Sequence, residues 1–357
     1  MSLPLAFLKH AGQWTEEPGT ADSVVVTTRA RLARNVQGFV FAPHATSTAL
    51  AEVQEEIIGA LEKSPFFTPW FRLDMTDVSG TERGYLRECR LISKEMERGG
   101  ASRSVYVAEN FKSSIMLNEE DHLRMQALEP GFQPGRVMTS VQTIEAEVSR
   151  VLGCATHPRY GFLTACPTNA GTGLRISAML HLPGLVLKRE VEETLAGLSQ
   201  HGLTSRGFWG ENTDNIGDFY QISNEVTLGK SAEVIVASVV AAVQGIAERE
   251  RTARKLLLAR GGVVVEDVIW RSYAVLAFAR KIESAEAMRL LSRLRLGIEG
   301  ALFPGLTHET LNRLITDIQP NHLLLRHAAP EDTDGRDVAR AALIRKCLHG
   351  VTDQTSL

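Results

Sequence analysis

Arginines recur close together in short segments of this sequence, and two of them stand in TTRARLAR, residues 27–34. The β-branched residues around them favour a strand, in which Arg29 and Arg31 point to the same face. Two neighbouring guanidinium groups repel each other unless an anion lies between them, and their planar forks match phosphate oxygens. The segment is therefore either a solvated face of a sheet or a clamp for a polyphosphate.

Three consecutive acidic residues begin at Glu119 in NEEDHLR, residues 118–124, directly after the apolar run SSIML. At the end of an apolar strand such a cluster is costly unless it binds something. We expect at least Glu119 or Glu120 to point into a cleft, where a carboxylate can hold a metal, position a cationic substrate or act as a base. The alternative is a charged turn on the surface.

A cysteine and two glycines lie together in ACPTNAGTGLR, residues 165–175. The segment lacks the Lys-Ser/Thr pair of a Walker loop and does not match GxGxxG, so it is no standard phosphate fingerprint. Gly171 and Gly173 allow another backbone to approach closely. Cys166 has no obvious histidine base nearby in the sequence, and by frequency alone a buried, inert thiol is the better interpretation.

A glycine-containing loop, TSRGFWGENTD at residues 204–214, adds Arg206 and Glu211. With Arg124 and Arg175, the four segments supply five arginines, two candidate carboxylates and a thiol. Neither a Walker lysine nor the HRD and DFG motifs of protein kinases is present. Such a set favours a site in which guanidinium forks hold nucleotide phosphates.

The composition describes a globular chain of 357 residues, a length that suggests about two domains. A net charge of −3 gives no basic surplus for nucleic acid or an anionic membrane. The four cysteines are scattered, which fits neither a zinc site nor a disulfide framework and suits a reducing cytoplasm. We find no pattern typical of a signal peptide or a membrane span.

Strand and helix patterns alternate up to about residue 253, and only helical periods follow. The sequence therefore predicts an N-terminal segment (1–20), an α+β domain (21–254) and an all-helical domain (255–357), with the boundary where LLARGGVVV interrupts the pattern. Among the expected helices are one capped by Ser47, one from Thr139 and one from Leu185 to a His-Gly end. YGFLTACPTN is expected to be a strand that enters a turn.

Four segments taken together resemble the hallmark segments of phosphagen (guanidino) kinases: TTRARLARN, NEEDHLR, CPTNAGTGLR and QISNEVTLGKS. Their order and spacing agree over roughly residues 21–253. The resemblance implies that family's catalytic domain, with a mainly antiparallel sheet flanked by helices. The family's small N-terminal helical domain is missing and a helical C-terminal domain is present instead, an arrangement similar to the bacterial protein-arginine kinases.

The resemblance also implies roles for individual residues. Glu120 is the expected base and anchor for the guanidinium, Glu211 the second carboxylate, and Cys166 a thiolate that orients the guanidinium with help from Thr168. ATP is the expected phosphoryl donor, with Mg²⁺ held mainly by phosphates and water and no protein ligand assigned. The residues expected at the nucleotide are Thr27, Thr28, Arg29, Ala30, Arg31, Arg124, Arg175, Ile176, Ser177, Arg206 and Gly207.

The C-terminal segment RDVARA resembles a phosphoarginine-sensing motif of the same family, which implies an allosteric site formed by Arg336, Asp337, Arg340 and Ala341. On a helix, Arg336 and Arg340 share a face near the positive end, where an anion is favoured. The alternative is a surface helix in which Asp337 pairs with one of the two arginines.

The expected function is ATP-dependent phosphorylation of protein arginines, which marks stress-related or misfolded proteins for degradation and regulates a heat-shock repressor. The resemblance implies as partners protein substrates, a zinc-binding activator protein, a heat-shock transcription repressor and a Clp ATPase/protease. We further expect a cytoplasmic homodimer joined through the helical domain. The alternatives are a small-molecule guanidino kinase and a catalytically inactive phosphoarginine-binding adaptor; the charge balance disfavours a DNA-binding regulator.

Overall fold

A computed structural model describes residues 3–10, 23–209 and 215–349. The helices are α1 (Leu5–His10), α2 (Ser47–Leu61), α3 (Gly80–Glu88), α4 (Lys94–Glu97), α5 (Pro134–Val151), α6 (Pro183–Lys188), α7 (Val191–Ala196), α8 (Ala232–Arg260), α9 (Gly262–Phe278), α10 (Ser284–Glu299), α11 (His308–Asp317), α12 (Pro320–His327) and α13 (Thr333–Leu348). The strands are β1 (Val25–Arg34), β2 (Phe71–Asp74), β3 (Ser104–Val107), β4 (Ser113–Leu117), β5 (Leu123–Pro130), β6 (Thr156–His157), β7 (Gly161–Phe162), β8 (Leu174–His181), β9 (Leu203–Arg206) and β10 (Phe219–Asn224).

Eight strands form one sheet in the order β2-β3-β4-β5-β1-β8-β10-β9, and every pair of neighbours is antiparallel. β6 and β7 make a separate small hairpin. The predicted fold class, a mainly antiparallel sheet with helices followed by an all-helical C-terminal part, is confirmed.

One face of the sheet is apolar along its length and carries helices α2, α5 and α8. Alternate residues such as Leu32 on β1, Met125 on β5 and Ile176 on β8 point to it and are buried with the inner faces of these helices. This layer forms the largest apolar cluster of the described chain, and it fixes the strands whose opposite face holds the polar residues.

The opposite face is covered at two places and open between them. Leu73 and Val105, on β2 and β3, pack with Tyr85 of α3 in one apolar cluster. Met179 and Phe219, on β8 and β10, pack with helices α9, α10, α11 and α13 in another. The C-terminal helices are thus part of the sheet's own packing, and the gap between the two clusters is a cleft.

Several predicted element bounds differ from the structure. The cap of α2 is Thr46 and not Ser47, since its side chain accepts the bond from the amide of Ala49. The helix expected from Thr139 begins earlier, at a proline in its first turn. The helix expected from Leu185 is two short helices, because Arg189 adopts a left-handed conformation, with φ of +61°, and ends the first one.

The segment YGFLTACPTN contains only two residues of strand, Gly161–Phe162, before a turn. The predicted domain boundary at residue 254 lies inside α8, which runs unbroken to Arg260. The predicted window of residues 253–262 does contain the end of this helix, at Gly261. None of the helices in the described ranges is long and apolar enough to cross a membrane.

Candidate functional site

Antiparallel register gathers the predicted arginines on the open face of the sheet. Arg31 on β1 lies directly opposite Arg175 on β8, and Arg124 on β5 lies opposite Ala33. Arg206 on β9 pairs with a residue of β10 whose side chain accepts a bond from Arg29. All five arginines, together with Glu120 and Cys166, line one cleft of about 680 Å³.

Positive charge is concentrated in this cleft. Burial, together with Arg124, Arg175 and Arg206, lowers the pKa of Arg29 to about 10. Burial, together with repulsion from the neighbouring arginines, lowers the pKa of Arg31 well below its ordinary value. In the part of the chain that the structure describes, Nε of Arg31 is buried without a hydrogen-bond partner. Such a set of guanidinium groups fits the oxygens of a bound polyphosphate.

The two candidate carboxylates have different environments. Glu119 is buried, accepts bonds of 2.5 Å from Nη1 of Arg124 on both of its oxygens, and accepts another from the hydroxyl of Ser93. Burial alone would raise the pKa of Glu119, but Arg124 holds it below the ordinary value. Glu120 is half-buried and lines the cleft. Glu119 therefore neutralises Arg124, while the carboxylate of Glu120 lies at the wall of the cleft.

Cys166 is half-buried at the cleft wall, so the interpretation of a fully buried thiol is wrong. Its Sγ lies 3.0 Å from Oγ1 of Thr168, as expected. The flanking backbone is fixed from two sides. Asp121 accepts a 2.6 Å bond from the amide of Ala165. The hydroxyl of Thr227 lies within hydrogen-bond distance of the carbonyl oxygens of Thr168 (2.8 Å) and Ala170 (2.6 Å), between which its one proton is shared.

The two glycines after Cys166 allow close packing against the protein's own backbone. A Cβ on Gly171, whose φ is +96°, would lie 2.9 Å from the carbonyl oxygen of Thr227. A Cβ on Gly173, whose φ is +63°, would lie 2.6 Å from the carbonyl oxygen of Ala33. The predicted close approach is confirmed, and it joins the Cys166 turn to β1 and to the segment after β10.

The remaining residues expected at the nucleotide divide between the two faces of the sheet. Thr27 and Ser177 lie on the cleft side, beneath Arg29. The side chains of Thr28, Ala30 and Ile176 point to the opposite face because side chains alternate along a strand. Ala30 and Ile176 are in the apolar core, and Thr28 donates to a carbonyl at the end of β5. These three residues support the strands of the site from the opposite face and do not line the cleft.

Two residues of the predicted site stand on the segment after β9. Gly207 is buried next to Arg206. Glu211, the second expected carboxylate, lies outside the described residues, so its place relative to the cleft stays a prediction.

Sequence reasoning missed two arginines in and just after α3 that also line the cleft. Arg87 lies over the ring of Trp209 at 4.8 Å, and Arg90 lies over the ring of Phe208 at 4.7 Å. Burial, then Arg29 and Arg87, lowers the pKa of Arg90 to about 9. The segment GTERGYLRECR reads as an ordinary charged helix, and only its position beside the sheet gives it this role.

The C-terminal residues predicted to sense phosphoarginine lie on α13, whose N-terminus is capped by Asp332. Arg340 is buried, pairs with Asp337 and donates to the carbonyls of Ile318 (3.0 Å) and residue 282 (2.9 Å). Arg336 is half-buried and bonds Thr333 at 3.2 Å. Ala341 is buried too. Arg336 is therefore the more accessible of the two arginines, and Arg340 is engaged inside the fold.

The described ranges 3–10, 23–209 and 215–349 contain no group of three His, Cys, Asp or Glu residues arranged to hold a metal ion. The charged side chains that line the cleft are the arginines, Lys94 and the carboxylates of Glu95, Glu119 and Glu120, with Glu119 paired to Arg124. This donor set fits phosphates on one side and a cationic group at Glu120 on the other.

Two family models match the chain, and the gap between them, residues 254–261, contains the end of α8. The C-terminal catalytic domain of the ATP:guanido phosphotransferases matches residues 52–253. The C-terminal domain of the protein-arginine kinase McsB matches residues 262–356. The matches agree with the antiparallel sheet and with the helical part that covers it.

Curated relatives match over nearly the whole chain. A protein-arginine kinase of Halalkalibacterium halodurans is 39% identical over 97% of both chains. Those of Moorella thermoacetica and Bacillus subtilis are 37% and 35% identical, over 96% and 98% of this chain and 99% and 96% of their own.

Solved structures of guanidino kinases share the fold. A duplicated taurocyamine kinase from Schistosoma mansoni superimposes with a TM-score of 0.59 at 25% identity, over 66% of this chain and 34% of that one. A lombricine kinase gives a TM-score of 0.57 at 24% identity, over 66% and 68% of the two chains. With the arginine-lined cleft and the near full-length relatives, these matches show that the chain belongs to the protein-arginine kinase family, enzymes that transfer a phosphoryl group to a guanidino nitrogen.

Proposed function

We propose that this protein transfers the γ-phosphoryl group of ATP to the guanidinium group of arginine side chains in other proteins. The observation that carries the proposal is the cleft itself, in which five arginines face a carboxylate and a thiol. Arginines suit the donor phosphates, while a carboxylate suits a cationic acceptor.

On the donor side, Arg29, Arg31, Arg124, Arg175 and Arg206 bind the phosphates and stabilise the charge of the metaphosphate-like transition state. Buried guanidinium groups with lowered pKa values gain most from such an anion, because it relieves their mutual repulsion. Mg²⁺, bound mainly by phosphate oxygens and water, supplies further neutralisation of the phosphate charge. Glu119 is paired with Arg124, and Glu120, which lines the cleft, is the carboxylate assigned to the acceptor in this proposal.

On the acceptor side, a guanidinium is a poor nucleophile because its pKa is above about 12. Glu120 anchors the guanidinium and accepts the proton that leaves the attacking nitrogen. Cys166 holds the guanidinium in line with the phosphorus. The contact of its Sγ with Thr168 and the hydrogen bond of the neighbouring backbone fix the direction of the thiol. Glu211 is the second carboxylate in this proposal.

The same family resemblance supports proposals about regulation. Arg336, Asp337, Arg340 and Ala341 form a phosphoarginine-sensing site, and the helices from residue 255 onward form a homodimer interface. The marked proteins are stress-related or misfolded chains handed to a Clp ATPase/protease in the cytoplasm, and a heat-shock transcription repressor is one target. A zinc-binding protein acts as activator.

The test is incubation of the protein with ATP and a denatured acceptor protein, followed by mass spectrometry under non-acidic conditions, because the P–N bond is labile to acid. We expect phosphoarginine in the acceptor. Phosphorylation of free arginine with an unlabelled protein acceptor would instead identify a small-molecule guanidino kinase. Binding of phosphoarginine without any transfer would identify an inactive adaptor.

A further inference from the structure

The carboxylate of Glu88, the last residue of α3, is buried against α12 and accepts four hydrogen bonds there. The donors are the backbone amides of Asn321 (3.0 Å) and His322 (2.9 Å), Nδ2 of Asn321 (2.7 Å) and Nδ1 of His322 (2.8 Å). The side chains of Glu88 and His322 are 1% and 0% exposed. Four donors occupy the lone pairs of both oxygens, so the carboxylate has no remaining capacity.

This contact also completes α12. The first amides of a helix have no partner within it, and the N-cap residue Gln319 makes no side-chain bond to them. Glu88 supplies the missing acceptor from a different part of the chain, with a negative charge at the positive end of the helix. The N-terminus of α12 therefore depends on α3.

The two helices fit closely around this contact. A Cβ on Gly84 would lie between 2.4 and 2.7 Å from the side-chain amide of Asn321. The ring of Tyr85 is tilted over the ring of His322, with 4.4 Å between centroids. Sγ of Cys89 lies 3.7 Å from Nε2 of the same histidine. A shift of α12 thus requires a shift of α3, because no space separates them.

The end of α3 reaches the cleft within two residues of Glu88. Arg87 and Arg90 both line the cleft, and Arg90 adopts a left-handed conformation, with φ of +60°, that directs the chain there. On its other side, α12 is tied to α13, because Arg340 donates to the carbonyl of Ile318 just before α12. A continuous set of buried contacts thus connects the C-terminal helices to the wall of the cleft.

We propose that Glu88 and His322 form a joint through which the C-terminal helices position Arg87 and Arg90 in the cleft and so set the affinity for ATP. Glu88 and His322 are positioning residues, since they act through the two arginines. The joint goes beyond the proposed function and does not depend on which acceptor is phosphorylated.

The first test is Glu88→Gln in the full-length protein. The amide of Gln keeps the shape of the carboxylate but replaces one acceptor oxygen with a donor. Some of the four donors on α12 therefore lose their acceptor. A buried donor without an acceptor is costly, and we expect the KM for ATP to rise by about tenfold with little change in kcat. An unchanged KM for ATP in a folded variant would overturn the proposal.

The second test asks whether the effect of Glu88→Gln on the KM for ATP depends on Arg90. If Glu88 acts through Arg90, then Glu88→Gln raises the KM for ATP much less in an Arg90→Ala protein than in the parent. A merely structural role would give additive changes in both backgrounds, and additivity would contradict the joint.

A matched control breaks another contact between the C-terminal helices and the sheet. Arg293 of α10 pairs with Asp218 at 2.8 Å, far along the chain from α3. We expect Arg293→Gln to leave the KM for ATP unchanged; an increase equal to that of Glu88→Gln would show a general loosening instead. Should Glu88→Gln fail to fold, Asn321→Ala removes one side-chain donor only, and it must then give a smaller rise in the same direction.

Discussion

Arg29 and Arg31 are held in the cleft against their mutual repulsion. Burial and the neighbouring arginines lower the pKa of Arg29 to about 10 and that of Arg31 as well. A basic group with a folded pKa below its unfolded value destabilises the fold while it is charged. The cost is therefore present at neutral pH and decreases as the pH rises through the folded value.

This cost predicts that Arg31→Met makes the ligand-free protein more stable while it impairs phosphate binding. We expect a melting temperature higher by roughly 2 °C, since about 1 kcal/mol shifts a large domain by that order. ATP, which stabilises the parent, should raise the melting temperature of the variant much less. Thermal melts with and without ATP measure both effects. Arg150→Met, at a side chain that is 73% exposed, is the control and should change neither value. A lower melting temperature for Arg31→Met would contradict the repulsion.

A second prediction concerns the base. Glu120→Gln should lower kcat by a factor of about 10²–10⁴, the usual contribution of a positioned base, while the KM for ATP stays the same. Initial rates of phosphoarginine formation at saturating ATP measure the change. Glu109→Gln removes an exposed carboxylate outside the cleft and should be as active as the parent. Near-normal turnover by Glu120→Gln would remove the base from its assigned role.

The residue types predict a strand, and alternate residues of a strand point to the same face. The sequence is therefore sufficient to place Arg29 and Arg31 together. The residue pattern by itself left Glu119 and Glu120 open, and only the family resemblance named Glu120; in the structure Arg124 pairs with Glu119, a contact that no local pattern shows. Nor could the sequence find Arg90, whose role depends on how α3 packs beside the sheet and not on a local pattern.

At the scale of elements, the turn after Cys166 holds the thiol and Arg175 at the same cleft. Gly173 makes this possible, because its φ of +63° and its contact with β1 both exclude a side chain. The turn is short and irregular, and the sequence predicted more strand here than the structure contains. The backbone leaves the sheet to approach another strand, so its residues show no regular alternation from which the conformation could be predicted.

Gly173→Ala should therefore destabilise the protein by more than the strain of about 1–3 kcal/mol that a left-handed residue costs, because the new methyl would also collide with β1. Urea unfolding measures the loss. Gly38→Ala separates the two causes: its φ is +88°, but no atom lies within 4 Å of the new Cβ. If both variants lose the same stability, the collision contributes nothing.

At the scale of the whole molecule, the helical part both covers the sheet and carries the predicted sensor. Arg336→Ala should reduce the response of the kinase to added phosphoarginine without changing the melting temperature, because Arg336 is half-buried and bonds only near its own helix end. Phosphorylation rates with and without phosphoarginine measure the response, and an unaltered response would leave α13 with a structural role.

Arg340→Ala is expected to behave differently. It leaves the buried Asp337 without its cation, a change that costs about 3–5 kcal/mol in buried pairs, so a lower melting temperature should accompany any loss of response. The comparison distinguishes a sensing arginine from a structural one. Pattern alone placed both on one helix face, whereas their burial depends on helices that come together from distant parts of the chain.

One apolar cluster contains both Val26, in the first strand, and Leu348, in α13, and it also buries Leu128 and Met179 of the sheet. During synthesis on the ribosome, the sheet is complete long before its cover has emerged. A nascent or prematurely terminated chain therefore exposes this apolar surface, and chaperone binding or aggregation should compete with its folding. The order of translation thus delays the mature kinase until α13 has left the exit tunnel.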